Sequence, residues 1–157
     1  MKSLLKSIFT LLLVALSMSA FAQKGKDMAM IRTLYAKGFS ATPESNATLQ
    51  KYLADSFISA SSNPGKGKQE LIQMMQYIYQ LVPNMKWEIR QIVRKKGHYA
   101  VRCEVTGNPV GNFMGVPTDG KKSFKIMTMH FLKVEKGQVV ENFFVEDWAS
   151  AIEQLKK

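Results

Sequence analysis

Two periodicities divide the chain. Between Asp27 and Val82 apolar residues recur at helical spacing, and from Trp87 onward they alternate at every second position. In the first regime Met28, Ile31, Leu34, Tyr35 and Phe39 predict a helix that Asp27 is placed to cap. Pro43 marks the first turn of a second helix, which starts near Thr42 and buries Leu49, Tyr52 and Leu53. A short extended piece at Phe57 and Ile58 leads into the turn-rich Ser61 to Gly67. Leu71, Met74, Met75, Ile78 and Val82 then form the stripe of a third helix, ended by Pro83. The second regime predicts four strands: Trp87 to Arg94, His98 to Thr106, Lys122 to Val134 and Val139 to Asp147. Tight turns at Lys96–Gly97 and Lys136–Gly137 join the outer pairs, a loop joins the middle pair, and a short helix begins near Trp148. Helices followed by an antiparallel meander predict an α+β fold with the helices on one face of a curved sheet. The last two strands are apolar on both faces, so the second face is expected to meet a partner subunit, giving a homodimer through the sheet.

A two-residue hairpin at Lys136–Gly137 would pair Glu135 with Gln138, His130 with Phe143, Thr128 with Val145 and Ile126 with Asp147. Ile126, Thr128, His130, Glu141, Phe143 and Asp147 would then share one face, and a one-residue slip would separate His130 from Asp147. Asp147, an acid at the inner end of an apolar strand, is the residue to explain, because burying an unpaired carboxylate costs several kcal/mol or raises its pKa. It reads either as the cap of the following helix or as a carboxyl turned into a pocket. His130 reads as a core histidine bonded to a neighbour such as Glu141, or as a pocket acid or ligand contact. Arg102 is placed to neutralise Glu104 or Glu141, or to bind an anionic ligand. Met74, Met75, Met114, Met127 and Met129 lie where a pocket wall is expected, as filler or as an adaptable apolar lining.

Composition changes this picture in few places. Lys2 and Lys6, an apolar run from Ile8 to Leu16, and Ala20-Phe21-Ala22 ahead of Gln23 have the form of a Sec-type export signal. Residues 1–22 are therefore expected to be removed, leaving 23–157 as one domain in the periplasm or outside the cell, without a membrane anchor. Without Lys2 and Lys6 the net charge falls from +10 to +8. The lysines are scattered, and the run Arg94-Lys95-Lys96 precedes Gly97 in a turn, so nucleic acid is not an expected partner. The single cysteine, Cys103, lies mid-strand and reads as a buried small residue. The two histidines, His98 and His130, have no metal-ligand spacing, and there is no phosphate loop or nucleophile elbow.

Gly111, Phe113, Gly115, Val116, Pro117, Gly120 and Lys121, then Val134, Gly137, Val139, Glu141, Phe143, Asp147, Gln154 and Leu155, closely resemble the SnoaL-like polyketide cyclase family, of the nuclear-transport-factor-2-like superfamily. Arg102, and Pro83 ahead of Trp87, fit as well. The resemblance implies a cone-shaped, curved antiparallel or mixed sheet packed against three N-terminal helices, enclosing a pocket. It further implies a ring closure without metal or cofactor in which the aspartate matching Asp147 is the general acid/base. From their places in the pattern, His130 is expected to assist it, and Glu141, Phe143, Arg102, Phe113, Met75 and Thr128 to line the ligand site. Three positions depart from the family pattern: Asn108-Pro109-Val110 stands where the family carries a histidine, Phe143 where a tryptophan is common, and Asn142 where a histidine is common. The expected function is ester cyclase or isomerase-type acid–base chemistry on a small apolar carbonyl compound. The competing expectation is carriage of a hydrophobic small molecule without chemistry.

Overall fold

The computed structural model describes residues 23, 25–61 and 64–157. The expected export signal and its cleavage site lie outside the described residues. The first helix, α1, is α-helical over 25–33 and widens into a π-helical stretch at Leu34–Phe39. It turns into α2 (Ser45–Tyr52), and the two approach closely at Gly38, where a Cβ would stand 3.1 Å from Leu34 Cδ1 and 3.3 Å from Leu49 Cδ2. Then follow β1 (Leu53–Ala60), the two-residue β2 (Lys66–Gly67) and α3 (Lys68–Leu81). The meander contains β3 (Lys86–Lys95), β4 (His98–Gly107), β5 (Val110–Phe113), β6 (Val116–Asp119), β7 (Phe124–Glu135) and β8 (Gln138–Glu146), and α4 (Trp148–Lys156) closes the chain.

The main sheet runs β2-β1-β8-β7-β4-β3, and all its pairings are antiparallel except β1 with β8. The fold is thus α+β with a mixed sheet, as expected. β1 is longer than the two residues read as extended, and it starts at Leu53, which the helical pattern had claimed. β5 and β6 form a separate hairpin within what reads as a loop. Their turn, Met114–Gly115, uses the left-handed pair of angles (φ 50 and 82) also found at Lys96–Gly97 and Lys136–Gly137.

Alternation along the central strands sorts the side chains. Phe124, Ile126, Thr128, His130 and Leu132 of β7, and Val101, Cys103 and Val105 of β4, are buried beneath the helices. The register of β8 differs from the two-residue-hairpin expectation. Glu135 pairs with Gln138 and Val134 with Val139, but Lys133 pairs with Glu141, leaving Val140 as a bulge. Beyond it His130 faces Phe144, not Phe143, and Thr128 faces Glu146, not Val145. Asn142, Phe144 and Glu146 consequently point to the helices, while Glu141, Phe143 and Val145 point away. Phe143 is 51% exposed and Val145 66%.

Candidate functional site

The helices, the β5–β6 hairpin and the inner face of the sheet enclose a cavity of about 370 Å³, within the size range of small-molecule sites. Phe39, Leu71, Met75, Ile78, Met85, Phe113 and Phe144 supply most of its apolar wall. Each arrives by the local rules already given. Met75 and Ile78 belong to the inward stripe of α3, and Phe113 stacks on Phe124 at 5.8 Å, edge-on to Trp148.

A polar row crosses the floor from β1 to β7. Ser59, Asn142 and His130 are all buried. Asn142 Nδ2 donates to Ser59 Oγ at 3.5 Å, and its Oδ1 lies 3.1 Å from His130 Nδ1. With the amide oriented this way, Nδ1 carries the proton and donates, so His130 Nε2 presents a bare lone pair. The ring is held by aromatic neighbours: Tyr35 at 5.5 Å and Trp87 at 5.4 Å edge-on, and Phe144 stacked at 5.7 Å. Burial pushes the imidazole down to about 4, against a smaller upward push from the Asn142 bond, so it is neutral at pH 7. Its Nε2, Tyr35 Oη and Trp87 Nε1 are buried without a hydrogen-bond partner among the described residues. Buried unpaired polar groups cost free energy and mark places where structure alone does not account for residue choice.

Glu146 completes the row. Its Oε1 lies 3.8 Å from His130 Nε2, beyond hydrogen-bond reach, and its Oε2 accepts the Trp148 indole N–H at 2.6 Å. Burial raises the carboxyl pKa, with the Trp148 bond partly opposing. Because the imidazole is neutral, Glu146 and His130 are not an ion pair at neutral pH. They are a carboxyl biased toward holding its proton beside an unprotonated base, both on the wall of an apolar hollow.

The residues singled out from sequence divide accordingly. His130, Phe113 and Met75 line the cavity, together with Met74 and Met114. Thr128 is on the inner face but lies beneath the cavity wall, 1% exposed. Asp147 does not face the hollow. It is exposed, caps α4 by accepting from Ser150 N at 3.1 Å and Ser150 Oγ at 2.6 Å, and those bonds hold its carboxyl below the usual range. The Val140 bulge moved the whole set after it by one place, so Glu141 and Phe143 also lie outside. Glu141 is 3.5 Å from Lys133 rather than bonded to His130. Arg102 alternates onto the outer face of β4, and Glu104 takes Arg90 at 2.7 Å and Lys125 at 3.3 Å instead. Met127 and Met129 likewise point outward from β7. Glu146, Phe144 and Asn142 were missed for the same one-residue reason. The available signal was the Asp147-Trp148 junction, where a capping acid at a helix start leaves its neighbour as the inward acid.

Among the described residues no group of three or more His, Cys, Asp or Glu side chains is placed to hold a metal ion, and no helix is long and apolar enough to cross a membrane.

Comparison with known proteins places these features in a family context. The family described as SnoaL-like polyketide cyclase matches residues 29–155. Among solved structures the chain is similar to a candidate SnoaL-like polyketide cyclase from a Jannaschia species, with TM-score 0.74, 18% identity, and 83% of this chain and 92% of that one covered. It is similar to IdmH, a candidate polyketide cyclase from Streptomyces antibioticus, with TM-score 0.70, 22% identity and coverage of 83% and 99%. A SnoaL-like polyketide cyclase from Agrobacterium tumefaciens gives TM-score 0.63, 18% identity and coverage of 82% and 93%. Among the curated proteins no sequence relative matches the chain.

Proposed function

Because the chain belongs to the SnoaL-like polyketide cyclase family, we propose that its cavity carries out cyclase- or isomerase-type acid–base chemistry on a small apolar carbonyl compound, with Glu146 as the proton carrier. The observation that carries this reading is the placement of Glu146: a carboxyl held at the wall of an apolar cavity, its pKa raised by burial toward the range a general acid/base needs. In its ionised form Glu146 removes a proton from the carbon next to the carbonyl. The resulting enolate forms the new bond to an electrophilic carbon of the same molecule, or is reprotonated at another position. Glu146 then returns the proton to the oxygen or carbon that carries the charge. His130, neutral and fixed by Asn142, sets the field around the carboxylate without competing for its proton.

Deuterium exchange at the activated carbon of 2-tetralone, followed by NMR, tests the assignment. Glu146→Gln is expected to remove protein-catalysed exchange by about 100-fold or more, and Asp147→Asn to leave it unchanged. Exchange that survives Glu146→Gln sinks the reading, and exchange lost with Asp147→Asn returns the role to the exposed acid.

A second reading, carriage of a hydrophobic small molecule without chemistry, is favoured by the four methionines on the wall, Met74, Met75, Met85 and Met114, which adapt to varied apolar shapes. The pattern of residues 1–22 supports work in the periplasm or outside the cell. The outward apolar residues of the sheet support a homodimer.

A further inference from the structure

Among the described side chains that line the cavity, two besides the neutral His130 are acidic or basic, and they stand on different strands. Glu146 is the last residue of β8, and Lys66 is on β2 at the edge of the sheet. Lys66 pairs with Ser59 across β1, so the two side chains share the inner face, and Ser59 in turn pairs with Asn142 on β8. The lysine is therefore turned to the same side as the polar row, next to Ser59 at the sheet edge. It is exposed, and among the described residues no carboxylate lies within ion-pair distance of it. The nearby Glu70 is committed to the Gly67 backbone N–H at 2.9 Å. A lysine with an apolar hollow beside its stem and no internal counter-ion presents its ammonium to whatever enters.

The two charges also set a direction. A carboxylate placed beside Glu146 would meet a half-buried carboxyl that repels it whenever that carboxyl is ionised. The same group beside Lys66 meets a cation. A ligand that carries an anion is accepted in one orientation only, with its uncharged part beside Glu146. The length between the two is set by the sheet: β2 to β8 is roughly 10 Å across, and Asn142 to Glu146 roughly 13 Å along the strand. That separation is on the scale of a medium to long acyl chain.

We propose that the cavity takes an amphiphilic carboxylate, an apolar chain of medium length whose carboxylate lies at Lys66 and whose reacting carbonyl lies beside Glu146. The proposal rests on the acid–base reading for the role of the carbonyl, while the recognition of the anion stands on Lys66 alone.

Both tryptophans of the chain, Trp87 and Trp148, line the cavity, so intrinsic fluorescence reports on its occupancy. Titration with octanoate and with methyl octanoate, at low ionic strength and neutral pH, separates charge from apolar fit. Octanoate is expected to bind about two- to fivefold more tightly than the ester, the effect of one exposed ion pair. Lys66→Gln should abolish that preference by weakening octanoate and leaving the ester unchanged, and Lys66→Glu should invert it. Equal binding of acid and ester by the wild type, or a preference that survives Lys66→Gln, overturns the anion site while leaving the acid–base reading intact. A wild type that binds neither compound overturns both the anion site and the cavity as a small-molecule site. Loss of 2-tetralone exchange in Glu146→Gln with the octanoate preference intact confirms the two ends separately.

Discussion

His130 and Glu146 sit 3.8 Å apart and respond to burial in opposite directions. The folded chain holds His130 near 4 while the unfolded imidazole titrates at its ordinary 6.5. Over that interval the unfolded state binds the proton and the folded state does not, so the contribution of His130 to stability is complete above 6.5 and declines on acidification toward 4, by on the order of 3 kcal/mol. Glu146 has its folded pKa raised, so its contribution is complete below the ordinary carboxylate value and declines as pH rises through the raised one. The two slopes oppose each other where they overlap. Calorimetric Tm measured from about pH 4 to 7 should therefore vary less in the wild type than in either single variant. Glu146→Gln leaves a Tm that climbs with pH, and His130→Asn one that falls. Three parallel curves would show that these side chains do not have the environments described. Asp147 stands apart from this pair, since its carboxylate is bonded to Ser150 at the surface and its loss should weaken only the start of α4.

At the scale of elements, much of the fold is legible from spacing alone, because periods of 3.6 and 2 follow from which face each element buries. The stripes of α1 and α3, the Lys-Gly turns and the alternation of β4 and β7 all appear where the pattern places them. The β5–β6 hairpin was not legible, although Met114–Gly115 has the same turn chemistry, because each of its strands is four residues long and β6 contains Pro117. The inward side of β8 was not legible either: nothing in Val139-Val140-Glu141 distinguishes a bulge from a continuous pairing, and that single residue decides whether Asp147 or Glu146 reaches the hollow. A different junction was fixed by a residue without a side chain. At the end of β4, a Cβ on Gly107 would collide with Val82 Cγ1, the residue that caps the C-terminus of α3. Gly107→Ala is expected to cost about 1–3 kcal/mol in urea denaturation, with part of the loss recovered by Val82→Ala in the same chain. An unchanged midpoint would mean that helix and strand do not meet there.

Among the described residues the sheet has one covered face and one bare one. The helices cover the inner side, while Ile58, Val93, Met127, Phe131, Phe143 and Val145 are exposed on the other, with Phe131 and Phe143 directly paired. Such an apolar surface favours contact with a second copy of itself. Sedimentation should find the wild type dimeric and Phe143→Lys monomeric, with the cavity on the far side unaffected, and a monomeric wild type would exclude the pairing. Val140 has a consequence that reaches across both faces. By absorbing one residue, it works as a clutch between the Lys136–Gly137 turn and the end of the strand, so the residue count from the turn does not by itself set which side chain faces inward. Excising it would restore an unbroken ladder and still present Glu146 inward. One residue added anywhere between it and Glu146 would reverse the assignment, bringing the capping acid to the hollow and handing Glu146 to the solvent.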